Sequence, residues 1–408
     1  MIMIIIINEK DRWNLMAKYF FSSSFLLFLG NWIGQVGLNW FVLTTYHNAV
    51  YLGLVNFCRL IPILLLSVWA GSIADKYDKG LLLRITITSS FIITALLCLL
   101  TYSLNSIPIF IILLYATFRG ILSAVETPVR QAVLPDLSSK ISTTQAVSFH
   151  SFIINICRSI GPAIAGGLIA VCHTPTTFLA QAVCYFIAAV LCIPIHFEVI
   201  LSQKEGKALP LKVVLNYFKS NLEGSQIFIT SIIIMATGFS YTTVLPVLTN
   251  HIFPGQSQVF GIAMTFCAIG GIVATIVLPS ILKHLSTVKM YYLSSILFGI
   301  ALLGIIIHHL VVMFICITLI GLFSQWARTT NRVYFQHSVK DCDRGKVLSI
   351  IMMDRGMIPL GSLIMSFFAD MFGILTTFTI MGICTISISL IFYIIQRISN
   401  MEESNNES

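Results

Sequence analysis

The chain has 408 residues, of which 57% are hydrophobic and only 10% charged, and its mean hydropathy is +0.92. Soluble globular domains carry about 25% charged residues, and apolar runs recur here from Lys18 to Ile395, so both an ordinary soluble protein and a separate soluble domain are excluded. The formal net charge of +8 invites a nucleic-acid reading, but the placement of the basic residues, given below, excludes that too.

At about 20 residues per helical crossing, twelve crossings account for most of the apolar share. A β-barrel needs short alternating segments, whereas these runs are continuous and rich in Leu, Ile, Phe and Gly. The expectation is an all-α integral membrane protein.

In chain order, the run from Met1 to Ile7 is too short to cross and lacks the layout of a cleaved signal, so it reads as an interfacial tail. Spans are expected at 18–45, 50–74, 82–104, 108–127, 147–171 and 177–197. Span one carries Asn31, Gln35 and Asn39 at four-residue spacing, hence on one helical face. Three amides in lipid are costly, so that face meets protein or a water-filled cavity. Span two holds Arg59, span four holds Arg119 and ends at Glu126, and span five holds Arg158 and then Gly161-Pro162. The proline removes a backbone hydrogen bond and bends the helix, while Ala165, Gly166 and Gly167 offer a small face for close packing.

The polar stretch 198–225, with Lys204, Glu205, Lys207, Lys212, Lys219 and Glu223, is the natural linker between halves at 1–197 and 226–397. The second half is expected to span at 226–249, 259–282, 290–307, 310–327, 347–370 and 373–396, followed by a disordered tail at 398–408. Its candidates are Asp354 and Arg355 inside span eleven, with Tyr241, Gln325 and Trp326, like Trp32 in span one, as weaker ones. The ten cysteines lie almost entirely in apolar spans at no metal-ligand spacing, so neither a disulfide framework nor a structural metal is expected.

Twenty of the 24 basic residues fall in the segments that are cytoplasmic if the N-terminus is inside, and the opposite loops hold none. The remaining four are Arg59, Arg119, Arg158 and Arg355. The positive-inside rule then puts both termini in the cytoplasm. Two traces of duplication support a parallel repeat of six spans. Arg158 and Pro162 recur as Arg355 and Pro359, at an offset of 197, and Thr127 and Arg130 recur as Thr329 and Arg332, at 202.

No enzyme chemistry is legible. Gly345-Lys346 is followed by valine, with Lys340 where a phosphate-binding loop needs glycine, and His308-His309 has no third ligand at a useful spacing. No cofactor is expected.

The stretch Gly71 to Lys79, GSIADKYDK, resembles the loop signature of the major facilitator superfamily, with Asp78 in place of the usual glycine. Asp78 there is familiar from the exporter branch that contains enterobactin and macrolide efflux proteins. Arg119 to Asp136, RGILSAVETPVRQAVLPD, looks like the same branch, and Asn155 to Gly166, NICRSIGPAIAG, is close to its antiporter signature with Ala165 replacing a glycine.

The resemblance implies the major facilitator fold, with two rocking six-helix halves in the cell membrane, monomeric and driven by proton antiport. It implies that Asp75, Lys79 and Glu126 form a cytoplasmic latch, in which the carboxylates pair with lysine or face a helix N-terminus. It also implies that Gly161 and Pro162 seal against proton leak and that spans one, two, four, five and eleven line the central cavity. Asp354, several residues inside span eleven, is then the candidate proton carrier of the second half. Arg59, Arg119, Arg158 and Arg355, with Asn31 and Gln35, become the expected substrate contacts. Arginine keeps its proton and costs at least about 3 kcal/mol at mid-membrane, while carboxylates within the spans are few. Positive charge in such a cavity points to an anionic substrate, a siderophore in the carboxylate or catecholate class. A macrolide or multidrug substrate is the alternative.

Overall fold

In the computed structural model, residues 9–104, 107–134, 137, 143–195, 211–339, 351, 354 and 356–406 are described. Six helices occupy the first half: α1 Glu9–Tyr46, α2 Ala49–Lys76, α3 Lys79–Ser103, α4 Ile109–Val133, α5 Thr143–Cys172 and α6 Pro175–Cys192. Eight follow: α7 Leu211–Ser220, α8 Leu222–Thr237, α9 Tyr241–Ile252, α10 Ser257–Ile281, α11 Thr287–Gly304, α12 Leu310–Ser338, α13 Met357–Phe372 and α14 Ile374–Asn406.

Among the described residues, eleven spans are long and apolar enough to cross a bilayer, with Leu222–Ile252 counted as one, and Met357–Phe372 is a shorter apolar helix. Together they match the twelve expected crossings, and the chain is an all-helical, multi-pass membrane protein.

Helix ends are fixed by local chemistry. Asp78 caps α3 by accepting from the backbone N–H of Gly80 at 2.9 Å and Leu81 at 3.1 Å, and it pairs with Arg84 at 3.6 Å. Asn221 caps α8 through the N–H of Gly224 at 2.7 Å, and Pro175 opens α6 where a missing N–H costs nothing. Gly373, at φ +84°, is the single residue that turns α13 into α14.

Four boundaries depart from the sequence reading. The seventh span breaks at residues 238–240, where the Phe239 N–H reaches the Ile234 carbonyl, five residues back, at 3.1 Å. The expected linker 198–225 contains α7 and the start of α8. Tyr217 and Phe218 of α7 pack on Phe335 and Phe228, with ring centroids at 6.3 and 4.9 Å, so aromatic burial holds a segment whose lysines read as solvated. Helix α12 continues eleven residues past 327 to Ser338 and carries Asn331 and Tyr334 into buried positions. Finally, α14 stays helical to Asn406 instead of giving way to a disordered tail at 398, because Met401, Glu402 and Glu403 are good helix formers.

By internal contact the chain divides into two compact units, 1–41 with 58–205, and 42–57 with 206–408. Residues 42–57, the hairpin end of α1 and α2, are grouped with the second unit. In the first unit the core runs through Phe20, Leu27, Leu83, Val133, Tyr185 and Cys192. In the second unit one cluster gathers Ile227, Tyr292, Ala327, Phe335 and Ile351.

Candidate functional site

Helix α4 builds the site. Arg119, Ser123, Glu126 and Arg130 are spaced by four, three and four residues, which puts them on one helical face. That face lines a cavity of about 240 Å³ in the first unit, completed by Asn31 and Gln35 of α1, Arg59 of α2 and His150 of α5. Two helices approach closely behind it. An added Cβ at Gly120 would collide with the Arg59 carbonyl and come within 3.1 Å of Pro62, so only glycine lets α4 press against α2 there. The contact brings the arginine-bearing turns of both helices to one cavity wall.

Arg119 is 4% exposed. Its Nε and Nη2 donate to the Tyr185 hydroxyl at 3.1 and 2.7 Å, and its Nη1 donates to the Ser123 hydroxyl at 2.9 Å. The guanidinium also lies 4.9 Å above the Tyr185 ring. Gln181 donates to the same hydroxyl at 2.9 Å and accepts from the Tyr115 hydroxyl at 3.3 Å. A neutral network thus orients Arg119 without cancelling its charge.

Arg130 is treated differently. Only 1% exposed, it donates through Nε to Glu126 Oε1 at 2.9 Å, and through its terminal nitrogens to Ser24 at 2.6 Å and Ser23 at 3.3 Å. The Phe20 and Phe28 rings lie 5.6 and 6.0 Å from the guanidinium carbon. The cavity lining thus holds three guanidinium groups, of Arg59, Arg119 and Arg130, against the one carboxylate of Glu126. With amides and hydroxyls beside them, these groups suit an oxyanion, which a guanidinium fork can bind through two parallel hydrogen bonds.

The structure brings Asn31, Gln35, Arg59, Arg119 and Glu126 together and leaves the other expected residues elsewhere. Arg158 is half-buried on α5, outside the cavity lining, and its Nε is buried with no hydrogen-bond partner among the described residues. Arg355, and the side chain of Asp75, lie outside the described residues. Lys79 donates to the Ala132 carbonyl at 3.1 Å, which ties α3 to the end of α4. Asp354 sits in the second unit, 6% exposed, and accepts from Ser231 at 2.7 Å and Asn331 at 3.3 Å.

Glu126 pairs with Arg130, one turn further along α4. Arg130, three residues past the expected end of span four at 127, is buried, since α4 runs on to Val133. Gly161 serves close packing, for an added Cβ would meet the Cβ of Trp32 at 2.6 Å, whereas among the described residues a Cβ at Gly167 meets nothing within 4 Å. Tyr241 is core, bonded to Cys267 at 3.0 Å, and Trp326 donates to the Ala274 carbonyl at 2.9 Å. Gln325 bonds Arg328 at 3.0 Å.

Sequence reasoning missed Arg130 and His150. The i,i+4 spacing of Glu126 and Arg130 was the available signal for the first, and an ionisable residue inside an apolar span was the signal for the second.

The family model described as "Transmembrane secretion effector" matches residues 16–408. A staphyloferrin A transporter of Staphylococcus aureus is 74% identical over 96% of this chain and 99% of its own length. Macrolide efflux protein A of Streptococcus pyogenes is 19% identical, over 97% and 99% of the two chains. Among solved structures, a bacterial homologue of the human lysosomal transporter Spinster superposes with a TM-score of 0.74 at 11% identity, covering 94% of this chain and 97% of its own. The nucleoside transporter NupG superposes with 0.70 at 16% identity, covering 93% and 98%. The chain accordingly belongs to the transmembrane secretion effector family of the major facilitator superfamily, and is a small-molecule membrane transporter and not an enzyme.

Proposed function

We propose that this transporter exports an anionic siderophore across the cell membrane, with staphyloferrin A, the compound its 74% identical relative is named for, as the leading substrate. The observation that carries the reading is Arg119, a buried guanidinium held entirely by hydroxyls in a cavity it shares with Arg59. A carboxylate-bearing chelator supplies the missing counter-charge. Arg158 and Arg355 are proposed as further contacts of the same substrate, with Asn31 and Gln35.

The energetics fit export. Each negative charge that leaves a negative-inside cell gains about 2.3 kcal/mol per 100 mV, and proton antiport adds to this drive. Asp354, buried and hydrogen-bonded to Ser231 and Asn331, is the proposed coupling carboxylate. Asp75, Lys79 and Glu126 act as the gate between access states, both termini face the cytoplasm, and the working unit is a monomer.

The full-length match to macrolide efflux protein A keeps a drug-efflux reading as the competitor. Export of staphyloferrin A into the medium by cells that express Arg59→Gln or Arg119→Gln separates the two. Reduced export supports the anion reading. Wild-type export from both variants at normal protein levels contradicts it.

A further inference from the structure

The cavity contains one more polar group, His150, which no transport role yet uses. Its side chain is 6% exposed, and its Nδ1 is buried without a hydrogen-bond partner among the described residues. Packing fixes the ring. It stacks on Phe20, with centroids 6.0 Å apart and planes at 28°, and meets the Phe28 edge at 5.5 Å. Leaving a buried ring nitrogen unpaired is costly, and the ring that carries it lines the cavity, so the ring marks a place where a ligand completes the bonding. The same cavity presents Arg59, Arg119 and Arg130, so the ligand atom that suits His150 is an oxyanion oxygen or a hydroxyl beside one.

Size narrows the ligand. Pockets that hold a drug-sized ligand measure about 300–1,000 Å³, and this cavity offers about 240 Å³. It takes one acidic arm of a larger chelator and not the whole molecule.

Building on the anionic-substrate reading, we propose that His150 is a substrate-contacting, specificity-determining residue whose ring hydrogen-bonds one carboxylate arm, while the guanidinium groups of Arg59 and Arg119 bind its charge. Substrates whose acidic arm is capped as an amide leave Arg119 and His150 imperfectly matched and are rejected.

The test uses the purified full-length protein in nanodiscs, with radiolabelled succinate and succinamide as probes in equilibrium dialysis. The wild type is expected to bind succinate and to reject succinamide. His150→Phe keeps the ring packing against Phe20 and Phe28 but removes the nitrogen, and should weaken succinate binding about tenfold, the loss of one hydrogen bond to a charged group, with an unchanged melting temperature. His150→Gln restores a polar atom and should recover most of that loss.

A second measurement needs only folded wild type. On addition of succinate, the 15N signal of the His150 ring, assigned by its disappearance in His150→Gln, should shift. If His150→Phe binds like wild type and the ring signal stays fixed while Arg119→Gln loses binding, His150 is not a contact and the anion cavity stands. If the wild type binds no succinate, or if Arg119→Gln binds it unchanged, the anion cavity and the role of His150 fall together.

Discussion

Glu126 and Arg130, one turn apart on α4, form an ion pair of 2.9 Å in which the side chains are 5% and 1% exposed. Removing one partner of a buried pair leaves the other charge without compensation, at a cost of about 3–5 kcal/mol. Glu126→Gln should therefore lower the melting temperature of the purified protein markedly, and Glu126→Gln with Arg130→Met should recover most of the loss. Equal destabilisation by the single and double variants would show that the pair is not coupled.

Gly120 and Gly167 make an internal contrast. An added methyl at Gly120 collides with the Arg59 backbone, whereas at Gly167 it meets nothing within 4 Å among the described residues. Gly120→Ala should cost about 1–3 kcal/mol and disturb the Arg59–Arg119 wall, lowering both stability and substrate affinity. Gly167→Ala should leave both unchanged, as melting curves and binding isotherms would report.

Tyr185 holds Arg119 by two hydrogen bonds, at 3.1 and 2.7 Å. Tyr185→Phe keeps the ring under the guanidinium and removes the acceptor, so substrate affinity should fall about fivefold to tenfold. Arg119→Lys keeps the charge but cannot satisfy Tyr185 and Ser123 together with a ligand, and its affinity loss should exceed that of Tyr185→Phe. Affinities measured side by side check the order.

Much of this architecture is legible in the sequence, and the failures have physical causes. Apolar runs exceed the bilayer thickness, so the twelve crossings follow from length and hydropathy alone. Five residues singled out in the sequence, the stripe of Asn31 and Gln35, Arg59 and Arg119 within spans, and Glu126 at the end of one, meet at one cavity.

The misses arose where tertiary burial overrides composition. Arg130 falls three residues past the expected end of span four at 127, yet α4 runs through Pro128 to Val133 and buries the guanidinium between α1 and Glu126. Tyr217 and Phe218 anchor α7 inside a stretch whose lysines suggest a plain linker.

The repeat explains one asymmetry. At the offset of 202 that maps Thr127 and Arg130 onto Thr329 and Arg332, Glu126 maps onto Arg328, which lies 4.9 Å from the Phe239 ring centroid. The second unit takes its carboxylate from Asp354 instead.

Asp354→Asn preserves an acceptor for Ser231 and Asn331 but cannot carry a proton. Export driven by a pH gradient should cease in this variant, while protein level and equilibrium substrate binding stay at wild-type values. Gradient-driven export at the wild-type rate would remove Asp354 from the coupling.

The most direct test of the anion-exporter account is uptake of staphyloferrin A by inside-out membrane vesicles with an imposed pH gradient and membrane potential, run with wild type, Arg59→Gln and Arg119→Gln at matched protein levels. The account predicts saturable uptake by the wild type, a drop of about tenfold or more in each arginine variant, and no competition by a neutral or cationic macrolide. Wild-type uptake by both variants, or uptake of a macrolide but not of staphyloferrin A, would contradict it.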